Sequence, residues 1–252
     1  MPQASLTSES QGSATSTGAY TFPEPQVVGK KAAGKATSVG TGAGPQRLFR
    51  YRVIKRGLDI FLVILASPVL IPLFVMVAVC VKLSSPGLVL FSHRRIRKHG
   101  AFFSMWKVRT MCVDSAQVLE DYLAADPAAR AEWRETHKLR RDPRITPLGV
   151  FLRRCSLDEL PQFWNVLRGT MSLVGPRPIV AAEVERYGEY FAEYCKVKPG
   201  LTGLWQVSGR SEVTYEERVQ LDCRYVREWT LLGDLKILVR TLFSVVNQDG
   251  AY

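Results

Sequence analysis

A run of 22 residues without a charged side chain, from Ile60 to Val81, limits what this chain can fold into more than any other feature of the sequence. As an α-helix the run is about 33 Å long, and the hydrocarbon core of a bilayer is about 30 Å thick. Pro68 and Pro72 lie inside the run, where each proline removes a backbone donor and bends a helix. Ser67, directly before Pro68, offers a hydroxyl group to the backbone groups that the proline frees.

Basic residues flank the apolar run on both sides. They are Arg47, Arg50, Arg52, Lys55 and Arg56 before it, and Lys82, Arg94, Arg95, Arg97 and Lys98 after it. Because Lys and Arg beside membrane segments favour the cytoplasmic side, a single pass leaves one basic flank on the wrong side. A helix that enters the membrane, breaks at Ser67 and Pro68 and returns satisfies both flanks. The sequence therefore favours a re-entrant helix hairpin over about 55–82, with a single membrane span and a buried core helix as the alternatives.

The N-terminal segment, residues 1–46, is rich in Ser, Thr, Gly, Ala and Pro and has few large apolar side chains. Such a segment buries too little surface to offset the entropy of ordering it, so we predict a disordered tail. No apolar stretch of the kind that secretory signals carry follows the first residue. Residues 47–252 are predicted to form one domain that includes the membrane helix.

The charge balance and the cysteines limit the classes of partner and site. Lys and Arg total 34 against 23 Asp and Glu, which gives a net charge of +11. This surplus suits nucleic acid, an anionic membrane surface or a phosphorylated substrate, and composition does not choose among them. The five cysteines are scattered without a CxxC pair, which predicts isolated thiols and neither a disulfide framework nor a zinc site.

The part of the chain after the membrane segment reads as a mainly helical α+β domain. Residues 88–96 and 102–111 have the composition of two strands, joined by turn residues at His99 and Gly100. Residues 113–139 are predicted to be helical, with a break at Asp126-Pro127, and 146–167 is helical in period. Residues 216–246 predict one or two amphipathic helices, which suit either a membrane interface or ordinary core packing.

The densest cluster of reactive side chains is RRCSLDELPQ, residues 153–162. Asp158 and Glu159 are adjacent, so on a helix their side chains diverge by about 100° and are suited to different roles. One interpretation is a capping box, in which Ser156 and Glu159 close a helix N-terminus that begins near Pro161. A cap leaves Asp158 unexplained. The alternative is catalysis, because a helix N-terminus keeps carboxylates ionised and also binds phosphate.

Three further segments carry candidate substrate-binding residues. GPRP, residues 175–178, is predicted to be a stiff loop. One interpretation is that it presents Arg177 as a phosphate ligand, and the other is that it is only a rigid turn. The segment 196–210 combines three glycines with Trp205, Gln206 and Arg210, a pattern typical of both ligand loops and plain turns. Lys107 and Arg109 stand two apart on one side of a predicted strand, a pattern that by itself also fits a solvated strand face.

Taken together in order, these motifs resemble those of the bacterial sugar transferase family. The motifs are Ser67-Pro68 in a basic-flanked apolar run, WKVRTM (106–111), DPRITPLG (142–149), LRRCSLDELPQFWNVLRGTMSLVGPRP (152–178), KPGLTGLWQVSGR (198–210) and GDLKIL (233–238). The resemblance covers about 47–252, including the terminal GAY, and six ordered motifs at compatible spacing are far more specific than any one of them.

The resemblance implies a phosphoglycosyl transferase with a re-entrant helix and a small catalytic domain on the cytoplasmic face of the bacterial inner membrane. The implied reaction joins a UDP-sugar and undecaprenyl phosphate, with Mg²⁺, to give undecaprenyl-diphosphate-sugar and UMP. Asp158 matches the nucleophile that takes the sugar phosphate covalently, and Glu159 matches the adjacent metal-binding carboxylate. Substrate-binding positions are assigned to Lys107, Arg109, Arg153, Arg177, Arg210 and Asp234.

Members of the exopolysaccharide-initiating type imply glucose or galactose as the sugar. The implied partners are the two substrates and the lipid bilayer, without nucleic acid and with a homodimer left open. Two alternatives remain: a catalytically weak relative that acts in assembly, and a membrane-anchored polyanion binder motivated by the basic charge. The second uses neither the carboxylate pair nor the GPRP loop.

Overall fold

The computed structural model describes residues 45–136, 139–209 and 213–246. The predicted tail therefore lies almost wholly outside the described residues and stays a prediction. The helices are α1 Pro45–Ser84, α2 Ser115–Ala125, α3 Pro127–Thr136, α4 Pro147–Arg154, α5 Gln162–Leu167, α6 Val184–Tyr187, α7 Phe191–Tyr194, α8 Tyr215–Glu228 and α9 Leu231–Val246. The strands are β1 Leu90–Ile96, β2 Phe102–Val108, β3 Ser172–Val174 and β4 Gly200–Thr202. The predicted mainly helical α+β class is confirmed.

Helix α1 contains the apolar run and continues through both prolines. Its segment Val53–Ser84 is long and apolar enough to cross a membrane, and only 11% of the most apolar window is buried. A core helix would be mostly buried, so that alternative is wrong. Pro68 has no N–H for the carbonyl of Ile64, and the Ser67 hydroxyl donates to that carbonyl at 2.7 Å, as predicted. The helix is not interrupted at Ser67 and Pro68, and the re-entrant hairpin stays a prediction.

The predicted strand pair is confirmed as an antiparallel hairpin. Strand β1 pairs with β2 in the register that sets Phe91 opposite Lys107 and Arg95 opposite Phe103. The turn contains His99 at φ 64° and Gly100 at φ 71°, and the left-handed region suits these turn positions. Since side chains alternate across a strand, Arg95 and Lys107 project from the same face of the hairpin.

The predicted helix over 146–167 is broken into three pieces, which corrects that expectation. Helix α4 begins at a Thr146 cap and ends at Arg154, a 3₁₀ turn covers Leu157–Glu159, and α5 begins at Gln162. The capping-box interpretation is also wrong, because Ser156 adopts the left-handed conformation at φ 55° and its side chain makes no capping hydrogen bond. The left-handed residue redirects the chain after α4 and turns Asp158 inward, where it is buried.

Both ends of the apolar part of α1 pack on the catalytic domain. Val63 joins the main hydrophobic cluster with Met105 of β2 and Val166 of α5. Farther along the helix, Val77 and Val81 join a different cluster; its other buried members are Val108 and Leu152. Exposed apolar side chains lie between these contacts: Ile64, Leu65, Val69, Ile71, Val75 and Met76.

A short parallel pair, β3 with β4, fixes the loop that follows β3. Gly175 lies so close to the neighbouring segment that an added Cβ would stand 2.6 Å from the carbonyl oxygen of Lys198. Glycine is therefore needed for this close approach. The loop GPRP begins at this contact, so its position relative to β4 is fixed by the backbone.

Candidate active site

One ammonium group holds the two adjacent carboxylates. Lys107 Nζ, near the end of β2, donates to Asp158 Oδ2 at 3.0 Å and to Glu159 Oε1 at 2.8 Å. The side chain of Asp158 is 9% exposed, whereas that of Glu159 is 34% exposed. The 3₁₀ turn thus brings one oxygen of each carboxylate to the same cation while leaving Glu159 open to solvent.

The two carboxylates differ in their electrostatic setting. Burial raises the pKa of Asp158 above its ordinary value; Lys107 opposes this rise, and the charge of Glu159 adds to it. Burial also acts to raise the pKa of Glu159, but Lys107 and Arg177 hold that pKa below its ordinary value. For Lys107, burial acts to lower the pKa, and the two carboxylates outweigh it and raise the pKa. Asp158 is therefore a poorly hydrated carboxylate, and Glu159 is the stabilised anion of the pair.

Two of the predicted arginines flank the carboxylates. Arg153, in the last turn of α4, donates from Nε to the hydroxyl of Thr110 at 2.9 Å, and its charge lowers the pKa of Asp158 against the burial that raises it. Arg177 is exposed in the GPRP loop, and every residue from 171 to 179 apart from Arg177 is buried. Its guanidinium carbon lies 5.6 Å from the ring centre of Trp205. Arg153 thus acts on Asp158, and the charge of Arg177 acts on Glu159.

A cleft opens beside the carboxylates. It is lined by Arg95, Met105, Lys107, Glu159, Gln162, Arg177, Pro178, Gly200, Leu201 and Gln206. In the sequence, Arg95 stands out only as one of the basic residues that flank the apolar run, and its place in the cleft was not predicted. Strand alternation was the signal that would have found it, since Arg95 and Lys107 project from the same face of the predicted hairpin.

Two residues assigned to substrate binding are held in other contacts. Arg109 donates to the carbonyl and hydroxyl oxygens of Ser85, each at 2.9 Å, and to the carbonyl of Pro86, so it ties the segment after α1 to the end of β2. Asp234 is 0% exposed. It accepts hydrogen bonds from Lys55, Tyr225 and Trp229 at 2.7 to 2.9 Å. Arg210 lies outside the described residues.

The carboxylates suit a hard cation that shares its coordination with a substrate. Within residues 45–136, 139–209 and 213–246 there is no group of three or more His, Cys, Asp or Glu side chains arranged to hold a metal ion. Mg²⁺ is commonly bound by one or two carboxylates, with substrate phosphates and water completing its octahedron. Glu159, ionised and partly exposed, fits that role, and so the residues present fit Mg²⁺ in the presence of a diphosphate.

The arrangement combines a desolvated carboxylate with cations near it. Such a site neutralises the charge of a diphosphate, which otherwise repels an attacking carboxylate. The chemistry that fits is attack of a carboxylate on phosphorus.

Comparison with known proteins identifies the family to which the chain is similar. Residues 50–248 match the family described as Bacterial sugar transferase. The chain is 49% identical over 205 residues to an undecaprenyl-phosphate galactose phosphotransferase of Salmonella typhimurium, covering 80% of this chain and 42% of that protein. It is 46% identical over 200 residues to the exopolysaccharide production protein ExoY of Sinorhizobium fredii, covering 79% and 88% of the two chains.

A third relative is the UDP-glucose:undecaprenyl-phosphate glucose-1-phosphate transferase of Escherichia coli, 41% identical over 209 residues, with 80% of this chain and 42% of the relative covered. The chain thus spans less than half the length of two of these three relatives. The family match covers most of the chain, including both carboxylates, the GPRP loop and the membrane helix. This chain belongs to the bacterial sugar transferase family.

Proposed function

We propose that this chain transfers a hexose-1-phosphate from a UDP-sugar to undecaprenyl phosphate and releases UMP. The product, undecaprenyl-diphosphate-sugar, begins exopolysaccharide or related glycan assembly at the membrane. The observation that carries the proposal is buried Asp158 beside Lys107, which lines one cleft with Glu159 and Arg177. Relatives named for undecaprenyl-phosphate galactose and glucose transfer support the same reaction class.

In the first step, a carboxylate oxygen of Asp158 attacks the phosphorus that carries the sugar. The bond from that phosphorus to the bridging oxygen breaks, and UMP leaves with the oxygen and its electron pair. The sugar phosphate is then an acyl phosphate on Asp158. The weak hydration of this buried carboxylate favours attack, because little solvent has to be removed from the nucleophile.

In the second step, a phosphate oxygen of undecaprenyl phosphate attacks the same phosphorus. The bond to Asp158 breaks, and the carboxylate returns to its starting state. No proton has to move in either step, which agrees with a site whose catalytic groups are carboxylates and cations. Two half-reactions also mean that the lipid and the nucleotide need not occupy the site together.

The positive groups stabilise charge on the transferring phosphoryl group. Lys107 contacts both carboxylates, Arg153 acts on Asp158, and Arg177 acts on Glu159. Arg177 can form the bidentate contacts with phosphate oxygens that a guanidinium favours. When bound at Glu159, Mg²⁺ supplies Lewis-acid neutralisation of the diphosphate oxygens.

The packing of α1 supports the re-entrant hairpin as part of this proposal. In a straight helix, Val63 and Val81 stand about 27 Å apart, which is close to the thickness of the hydrocarbon core. Both residues pack against the same small domain, in clusters that share strand β2. Contact of one domain with both ends of the apolar run is compatible with a helix whose two ends reach the same face of the membrane, and we propose that this is the cytoplasmic face of the inner membrane.

Helix α9 supports an interfacial position. Its exposed apolar side chains recur every three or four residues and form one stripe: Leu232, Leu235, Val239 and Leu242. An amphipathic helix with such a stripe lies in the plane of a membrane surface. Together with the exposed apolar side chains of α1, this stripe supports a position of the domain at the lipid headgroups, where the phosphate of undecaprenyl phosphate lies.

UMP release from a panel of UDP-sugars tests the proposal. Membranes that contain the chain are supplied with undecaprenyl phosphate and Mg²⁺, and Asp158→Asn is the control. We expect UMP from a single hexose donor and none from the control. Release of UDP would identify an ordinary glycosyltransferase, and no release with any sugar would contradict the proposed reaction.

A further inference from the structure

Three guanidinium groups lie close together, and two of them, those of Arg95 and Arg177, line the cleft. Arg95 comes from β1 and Arg218 from α8, and burial and then the charges of Arg177 and Arg218 lower the pKa of Arg95. The guanidinium carbons of Arg177 and Arg218 lie 5.6 and 5.1 Å from the ring centre of Trp205. The three cations are therefore close enough to act on one small anion.

The carboxylates near these arginines balance them only in part. Glu183 lies 3.8 Å from Arg95 and 3.4 Å from Arg218, which are long distances for ion pairs. Asp222 is 1% exposed and accepts the hydroxyl of Tyr187 at 2.7 Å. Burial raises the pKa of Asp222 to about 7, so this carboxyl group is only partly ionised near neutral pH.

Several donors in the same cluster are buried without an acceptor among the residues that the structure describes. They are Arg95 Nε, Arg218 Nε, Arg218 Nη2 and Trp205 Nε1. Buried donors are normally paired, because an unpaired one loses its hydrogen bonds to water without compensation. A group of such donors on cations indicates a ligand with several acceptor oxygens and a negative charge.

We propose that Arg95 and Arg218, together with Arg177, bind the phosphate of the departing nucleoside monophosphate. This inference rests on the proposed function and names the site of its leaving group. In phosphoryl transfer the attacking and leaving oxygens are roughly in line. With Asp158 as the attacking group, the leaving phosphate lies on the far side of the reacting phosphorus, and Arg95 and Arg177 both line the cleft that can receive it.

The charge on the leaving phosphate explains why three guanidinium groups are useful there. In the diphosphate this phosphate carries one negative charge, and it gains a second when the bridging bond breaks and the electron pair leaves with it. Interactions that strengthen as the bond breaks lower the barrier more than interactions that are constant. Arginine suits the task because its planar fork pairs with two phosphate oxygens at once.

The experiment measures how tightly UMP and uridine inhibit Arg95→Gln, Arg218→Gln and Arg218→Lys, in undecaprenyl-phosphate-supplemented membranes. Each Gln variant is expected to weaken inhibition by UMP about tenfold or more and to leave inhibition by uridine unchanged. Arg218→Lys, which keeps the charge and loses the fork, is expected to fall between the wild type and Arg218→Gln. Arg224→Gln is the matched control, because Arg224 lies on the same helix and pairs with Glu228 at the surface.

The outcomes separate this inference from the proposed function. If UMP inhibits the Arg95 and Arg218 variants as tightly as the wild type, the leaving-group site is wrong. The proposed reaction is not affected by that result. Equal weakening of inhibition by UMP and by uridine would also overturn the leaving-group site. That result indicates a general distortion of the cleft and not the loss of a phosphate contact. If Arg218→Gln does not fold, the decision falls to Arg95→Gln and Arg218→Lys. A wild-type chain that releases no UMP contradicts the proposed function itself.

Discussion

Lys55 Nζ lies 2.7 Å from Asp234 Oδ2, and both side chains are buried. Lys55 precedes the apolar run of α1, and Asp234 is in the first turn of α9. Tyr225 and Trp229 donate to the same carboxylate at 2.9 Å each. The pair therefore joins the start of the apolar run of α1 to α9, the helix with the exposed apolar stripe, and fixes these two helices relative to each other.

Removing one partner of this ion pair is expected to destabilise the protein strongly. Asp234→Ala leaves the Lys55 charge buried with its main counter-charge gone, and such changes cost about 3–5 kcal/mol. The double variant Lys55→Met with Asp234→Leu removes both charges and is expected to recover most of that loss. Thermal unfolding in detergent or lipid measures the effect. An unchanged melting temperature for Asp234→Ala would show that the pair does not anchor α1.

Asp158→Asn is expected to abolish transfer, by about 10⁴-fold or more, without lowering stability. Folding raises the pKa of Asp158. At pH 7 the ionised carboxylate therefore destabilises the folded state relative to the unfolded state. A neutral isostere removes that penalty, and the melting temperature is expected to stay level or to rise. UMP release and thermal unfolding are measured on one preparation. Substantial residual turnover would rule out Asp158 as the nucleophile.

Lys107→Met is expected to shift the acid limb of the pH–rate profile to higher pH. Lys107 lowers the pKa of Asp158 against the effect of burial, so without it that pKa rises further and the carboxylate is lost at a higher pH. The rate at the optimum is also expected to fall about 10²-fold, because a cation next to the transferring phosphoryl group is gone. Profiles of kcat/KM against pH measure both effects.

The control for this prediction is Lys196→Met, which removes a half-exposed lysine paired with Glu193. Its profile is expected to match that of the wild type. An acid limb that stayed in place, or moved to lower pH, in Lys107→Met would mean that Lys107 does not set the ionisation of Asp158.

Local signals predicted much of the fold. The β1–β2 hairpin follows from strand composition and the turn at His99 and Gly100, and the division of α2 from α3 follows from Pro127. The break after α4 could not be predicted in this way, since serine has no strong preference for the left-handed conformation that Ser156 adopts. In the structure that conformation occurs together with the burial of Asp158 against Lys107, which is 51 residues earlier in the chain.

Residue type alone did not distinguish the residues of the site from residues that stabilise the fold. Lys107, Asp158 and Glu159 were predicted, and the structure brings them together. Asp234 was assigned to the phosphates, yet its partner is Lys55, 179 residues away, because an acidic residue that anchors a helix looks the same in sequence as one that faces a ligand. Sequence separation of this size gives no spacing signal, so only the packed structure reveals the pair.

Pro68→Ala together with Pro72→Ala is expected to straighten α1 and to favour a single membrane span. A proline inside a helix costs about 3 kcal/mol relative to alanine, so its removal favours the uninterrupted helix. Reporter tags before residue 47 and after residue 252 are expected on the same face of the membrane in the wild type and on opposite faces in the variant. Pro127→Ala, outside the apolar run in the first turn of α3, is the control and is expected to keep the wild-type arrangement. Tags that remained on the same face in the double variant would show that the prolines do not turn the helix back.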